Sequence, residues 1–319
     1  MTSRDSLQGT LLLQKGDRDV LVHAGGRASP TSTNSLATRF QIASVSKQFT
    51  CAAILVLAER GALDLYDPIS RWILDTPERW KGITLHHLMT HTAGLLHWSG
   101  LPEKIHTEPP PMSELLTMFM EAPLISEPGT MYSYSSPGFV LLALVAQRCT
   151  GKPYKTLLHD EIFAPLGMSS TFAGDGAGRD DLALGYRGEE MVQSMALDAT
   201  DIGAGDIWST VGDLAIWDRA VMSGTFLTDL SRRQMLTPHV SMPNDIAGID
   251  FEGYGYGWCI GSTGGHRLIF HPGDNFGYQS MNAILPDDDA RLVVLTNDET
   301  TDLAGLTFSH LKLAIDEVS

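Results

Sequence analysis

The sequence predicts an α+β fold in which a strand-rich domain is split between the two chain ends and a mostly helical domain is inserted between them. Three observations predict it. Short strand-like runs broken by Gly and Asp turns lie at both ends, a long apolar helix is read from Phe139 to Cys149 between them, and 319 residues exceed the usual single-core size. The reading assigns residues 1–60 and 205–319 to the split domain and 61–204 to the inserted one.

Composition narrows the class. An apolar content of 43% and a charged content of 19% are globular values. A formal charge of −16 argues against nucleic acid and anionic membranes as partners, since both would be repelled. No run approaches the roughly 18 apolar residues of a membrane span. Residues Met1 to Gln8 lack a basic region followed by an apolar stretch of signal length, so a cytoplasmic location is expected. Cys51, Cys149 and Cys259 are far apart, odd in number and set among apolar residues, and read as buried free thiols.

Taken in chain order, Leu11–Leu13 and Val20–His23 read as a hairpin across Lys15-Gly16-Asp17-Arg18. Phe49, Ala52, Ala53, Val56 and Leu57 recur with the period of a core-facing helix that closes at Gly61. Its first turn holds Ser44-Val45-Ser46-Lys47. Residues three apart on a helix are about 5–6 Å apart at Cβ, so the Lys47 amine can reach the Ser44 hydroxyl. The helix N-terminus favours negative charge on the serine oxygen, and a desolvated lysine can act as base near neutrality. The same four residues also fit a helix cap followed by an ordinary surface lysine.

Farther along, Tyr134-Ser135-Ser136 precedes an apolar helix from Phe139 to Cys149. A buried tyrosine there could pass a proton as a phenol, or act as base if a lysine lowers its pKa. His86, His87, His91 and His97 invite a metal reading, with His87 and His91 spaced i, i+4, but no Glu follows His87 as in the His-Glu-x-x-His pattern. Glu108-Pro109-Pro110-Pro111 reads as a rim loop, and Thr210 with Asp213 as a capping box. Tyr254–Ile260, Arg267–Phe270, Met281–Leu285 and Arg291–Thr296 read as antiparallel strands, and Asp302–Ile315 as a closing helix. His271-Pro272-Gly273 reads as a loop between two of those strands, its glycine letting a substrate approach the strand edge.

Together these residues resemble the penicillin-recognising serine hydrolases, the superfamily of serine β-lactamases, penicillin-binding proteins, D-aminopeptidases and family VIII esterases. Ser44-x-x-Lys47 is similar to the nucleophile motif, Tyr134-x-Ser136 to Tyr-x-Asn, and His271-x-Gly273 to the His-x-Gly form of Lys-Thr-Gly. Leu63–Pro68, Ile83–Leu95, Pro165–Met168, Ser209–Leu214 and Tyr256–Trp258 look like landmarks of the class C-related branch. The resemblance implies a β-lactamase/transpeptidase-like fold with both chain ends in one antiparallel sheet flanked by helices. It also implies an acyl-enzyme at Ser44, proton transfer by Lys47 and Tyr134, an oxyanion site at the N–H groups of Ser44 and Asp274, and His271 beside Tyr134. Neither metal nor cofactor is implied, and the partner is a small acyl substrate.

Three departures bear on that substrate. Ser136 stands where the family has Asn, and its shorter hydroxyl is expected not to span to the lysine. Pro272 removes a hydroxyl and a backbone donor, and His271 carries less certain charge than Lys. They argue against efficient β-lactamase or D,D-peptidase activity, and a carboxylate at Asp274 would favour cationic or amine-bearing substrates. Trp98, Tyr132, Phe276 and Tyr278 are expected to line an apolar acyl pocket. The leading expectation is a serine hydrolase of the carboxylesterase or amidase type acting on a small ester or amide, with Ser136, Gly273 and Asp274 binding substrate. The alternatives are a biosynthetic acyltransferase or D-amino-acid peptidase using the same acyl-enzyme, and a non-catalytic ligand-binding module. Oligomeric state is not legible.

Overall fold

A computed structural model describes residues 7–98, 103–176, 178–243 and 248–316. Seven antiparallel strands form the main sheet: β1 Gly9–Lys15, β2 Arg18–Gly25, β3 Asp250–Tyr254, β4 Cys259–Thr263, β5 His266–Asn275, β6 Tyr278–Leu285 and β7 Ala290–Thr296. Their order is β3-β4-β5-β6-β7-β1-β2, so the chain ends meet where β1 pairs with β7. The run from Tyr254 to Ile260, expected as one strand, is two strands joined by a turn at Gly255–Trp258. His271-Pro272-Gly273 is no loop: β5 continues through it for ten residues in all.

Both faces of the sheet are covered. Val293 and Leu295 point into the large core shared with the helices, while Leu292 and Val294 point into a second core under the closing helix. That two-sided burial is why β7 reads as an unbroken apolar run rather than an alternating one. The nucleophile helix α1, Ser46–Glu59, is buried from Ser46 through Leu57. A short α2, Leu85–Met89, and the long α3, Ser136–Thr150, pack on one another, and α4, Val211–Ser223, lies against β7. The closing helix α5, Leu303–Asp316, covers the opposite face.

Several local expectations are corrected. Thr210 Oγ accepts the Asp213 N–H as a cap, but the Asp213 carboxylate turns to Ser170 N–H and the Thr171 hydroxyl, leaving half a box. The complete box is at Thr84 and His87, whose Nδ1 accepts the Thr84 N–H. His91 lies beyond α2 with a φ of 57°, so it shares no helix face with His87. Cys51 and Cys259 are buried, whereas Cys149 is partly exposed. Tyr278 is wholly buried and donates to the Ala183 carbonyl, away from any acyl pocket. No helix among the described residues is long and apolar enough to cross a membrane.

Candidate active site

Ser44 sits in a single 3-10 turn, Ala43–Val45, that runs directly into α1. Ala43 holds a left-handed φ of 46°, which costs about 1–3 kcal/mol in a residue with a side chain and persists only where surrounding contacts impose it. Those contacts are visible. The Ile42 N–H donates to the Ile207 carbonyl at 2.9 Å, and the Ile42 carbonyl accepts the Ser280 hydroxyl at 2.6 Å. Gly273 lies against the same turn, where a Cβ would come within 2.5 Å of the Ile42 carbonyl oxygen and 2.4 Å of Ser280 Oγ. The glycine, expected to admit substrate, thus makes room for the nucleophile turn. Gly257, at φ 77°, does the same for the start of α1, where a Cβ would meet the Lys47 carbonyl at 2.8 Å.

Lys47 is fully buried and its Nζ lies 2.9 Å from Ser44 Oγ, 3.2 Å from Ser136 Oγ and 2.8 Å from the Ala204 carbonyl. The serine hydroxyl therefore does reach the lysine, because α3 begins at Ser136 and brings its own first turn to the amine. Burial draws the Lys47 pKa down to about 7, against the pull of Asp201 and Asp206. Burial acts on Tyr134 in the other direction, pushing the phenol well up and keeping it protonated, with hydrogen bonds to Ser44 and Ser136 offsetting part of the effect.

His271 stands beside Tyr134, its ring centre 6.3 Å away, and both its nitrogens are engaged by other groups. Nδ1 meets the Pro272 carbonyl at 2.6 Å, which makes it the protonated nitrogen, so Nε2 accepts the Tyr254 hydroxyl at 2.9 Å. Burial first, and Lys47 second, hold His271 neutral with a pKa of about 3. Tyr254, unmarked in the sequence, is therefore the direct partner of this histidine.

The ladder geometry fixes which backbone groups are available. Two-residue hairpins at Gly264–Gly265 and Phe276–Gly277 make Thr263–His266 and Asn275–Tyr278 hydrogen-bonded pairs. Alternation then directs residues 271, 273 and 275 to β6, and 266, 268 and 270 to β4. Since β4 begins opposite Phe270, residues 272 and 274 face an open edge. Pro272 offers no donor there, and Asp274 N–H does. The Asp274 side chain is exposed at the rim.

A cavity of about 1000 Å³ opens on Ser44, Tyr134 and Ser136 and is also lined by Trp98, Tyr132 and Phe276, as expected of them. Glu108–Pro111 does not line it. Three further residues shape it that sequence reasoning did not single out as site residues. His91 Nδ1 accepts the Ser135 N–H at 3.0 Å, and His97 Nδ1 accepts the Ser136 N–H at 3.2 Å, so two imidazoles hold the segment carrying Tyr134 and Ser136. Burial keeps both below the usual histidine range, His97 at about 4. Asp201 is the third: a buried carboxyl raised by burial, with Lys47, His106 and a hydrogen bond from the Trp98 side chain acting the other way. His91 lay within a legible landmark segment and His97 two residues beyond it; nothing in the sequence around Asp201 marks it.

Comparison with known proteins places this geometry. Residues 4–314 match the Beta-lactamase family. Penicillin-binding protein 4* of Bacillus subtilis is 30% identical over 93% of this chain and 69% of its own length. Other curated relatives are matched over 57% of their length. A penicillin-binding protein from Bacillus halodurans superposes with a TM-score of 0.82 at 27% identity, covering 96% of each chain. The D-amino acid amidase of Ochrobactrum anthropi SV3, solved with L-phenylalanine amide, gives 0.81 at 25% identity over 98% of this chain and 94% of that one. With the match spanning nearly all its residues and the β-lactamase/transpeptidase-like fold shared, the chain belongs to the Beta-lactamase family.

Proposed function

We propose that the protein is a serine hydrolase that forms an acyl-enzyme at Ser44 on a small ester or amide. The observation that carries the reading is the 2.9 Å approach of a fully buried lysine, its pKa drawn to about 7, to the Ser44 hydroxyl. Neutral Lys47 takes the hydroxyl proton as the Ser44 oxygen bonds to the substrate carbonyl carbon. The carbonyl oxygen gathers charge between the N–H groups of Ser44 and Asp274. Tyr134, kept as a phenol, relays the proton to the departing alcohol or amine as the scissile bond breaks. Water then repeats the sequence on the ester, releasing the acid and restoring Ser44. His91 and His97 act through position, fixing the backbone that presents Tyr134 and Ser136.

The family places penicillin-binding proteins and an amidase among the relatives, which supports acyl chemistry on esters and amides. The open edge beside Pro272 presents no hydroxyl for a substrate carboxylate, which weighs against penicillins as the main substrate. Intact mass of the wild type after brief exposure to a p-nitrophenyl ester is expected to show a Ser44 adduct. Ser44→Ala should show neither adduct nor turnover, and unchanged turnover in that variant would remove the mechanism.

A further inference from the structure

Resting on the serine-hydrolase reading, the shape of the cavity says more about what Ser44 acts on. The space that opens on the nucleophile is also lined by Leu268, Phe270, Met281, Thr307 and Leu311. Alternate residues of a strand point to opposite faces. Ile269 points into the core shared with the helices around Ser44, whereas Leu268, Phe270 and Met281 point into the second core, where Leu311 of α5 meets them. The cavity therefore touches both faces of the sheet. It passes from one to the other around the edge of β5 that β4 leaves unpaired beyond Phe270.

This annex has the chemistry of a hydrocarbon site. Its walls are aliphatic, aromatic and thioether side chains, and the one hydroxyl among these five residues, that of Thr307, donates within α5 to the Leu303 carbonyl at 2.7 Å. Asp274 and Asp302 line the cavity as exposed residues, where they repel a free carboxylate but not a neutral ester. Both walls are long: β5 runs about 13 Å from Pro272 to Leu268, and α5 about 12 Å from Leu303 to Leu311. Close-packed interiors leave few spaces larger than a water, so a continuous space between a covering helix and its sheet, open to a nucleophile, fits an occupant better than a packing fault.

We infer that the annex takes an extended aliphatic chain of about ten carbons borne by the ester, with the reacting carbonyl at Ser44 and the chain lying between β5 and α5. Each methylene removed from water adds favourable transfer free energy, so six more of them support at least a tenfold gain in kcat/KM. The chain belongs either to the acyl group or to the alcohol, and substrate series tell the two apart.

Two comparisons on the wild type at sub-micellar concentration test it: p-nitrophenyl butanoate against decanoate, which lengthens the acyl group, and butyl against decyl acetate, which lengthens the alcohol. At least one series should favour its ten-carbon member at least tenfold in kcat/KM, and that series identifies the side of the ester that enters the annex. Thr307→Phe places a ring in the space and should cut that ratio at least tenfold. Taking the ratio within one variant cancels any loss of folded protein, and Ser44-dependent turnover of the four-carbon ester shows that folded protein is present. Should Thr307→Phe lack that turnover, Ala304→Phe, at an exposed position lining the same cavity, takes its place with the same expected loss. A ratio below tenfold in both wild-type series overturns the inference, as does a ratio undiminished in the folded variant. In either case Ser44-dependent turnover leaves the hydrolase standing; its absence on every ester would remove the hydrolase and the annex together.

Discussion

The two halves of β5 differ in a way that separates stability from chemistry. Residues 266–270 pair with β4 on one side and β6 on the other, while residues 271–275 pair with β6 alone. In the first half Leu268 and Phe270 are buried core residues. In the second half stand His271, Pro272, Gly273 and Asp274, each of which a doubly paired strand would accept poorly or not use. A strand can be held rigid by one neighbour and by packing while its other edge stays open for a ligand, and a proline is tolerated at such an edge. Function occupies the half that the ladder pairs on one side only.

The largest effect should come from moving the edge residue into the paired half. Leu268→Pro removes a donor that faces Gly261 of β4 and leaves its acceptor unpaired, at a cost of about 1–3 kcal/mol before the lost leucine packing is counted. Thermal or urea unfolding checks it, and a near-neutral result would mean that β4 and β5 are not paired as described. Gly273→Ala probes the contact between the open half and the nucleophile. A new Cβ within 2.5 Å of the Ile42 carbonyl must displace the turn that carries Ser44. Since about 1 Å of misplacement can cost on the order of a hundredfold in rate, kcat should fall by about that factor, and the overpacking should also destabilise the fold by about 1–3 kcal/mol. Retained kcat would show that the turn is less constrained than its packing implies.

Proton chemistry sharpens the comparison from another side. A base of pKa about 7 must be unprotonated to act, so kcat/KM should rise with pH through about 7 and level off above it. His271 in the open half, at about 3, is already neutral throughout that range and contributes nothing to the limb. The limb should therefore persist in His271→Gln, whatever the drop in absolute rate. Its disappearance would transfer the base from Lys47 to the histidine.

These contrasts also explain what the sequence disclosed. The nucleophile segment was legible because Ser44 and Lys47 lie on one continuous helical start, where spacing translates directly into distance. The outer strands were legible from alternation and turn residues. His271–Gly273 was misread as a loop because its glycine and proline are loop-formers by local preference, and only the pairing with Ser280–Asn282 of β6 makes them a strand. Tyr254 and Asp201 were missed for a related reason. Their importance lies wholly in interactions across the fold, a hydrogen bond to His271 and an electrostatic influence on Lys47 respectively, which no local pattern encodes. The supposed reach deficit of Ser136 had the same origin, since side-chain length was judged without knowing where α3 starts.

The smallest effect is the most discriminating one for the open edge. Pro272→Ala restores an N–H that points away from β6 into the space beyond the end of β4, so it gains no ladder partner. The folded state should then be nearly unchanged, and the loss should arise in the unfolded chain, where alanine has more freedom than proline. That predicts a destabilisation of about 0.4–1 kcal/mol, measured by urea unfolding. Turnover of neutral esters should change less than twofold, because the oxyanion donor at Asp274 is untouched. A loss of about 3 kcal/mol would place Pro272 in packing rather than at an edge. A clear gain in stability would mean that the new N–H had found an acceptor, and in either case the two halves of β5 would not be divided where Phe270 ends.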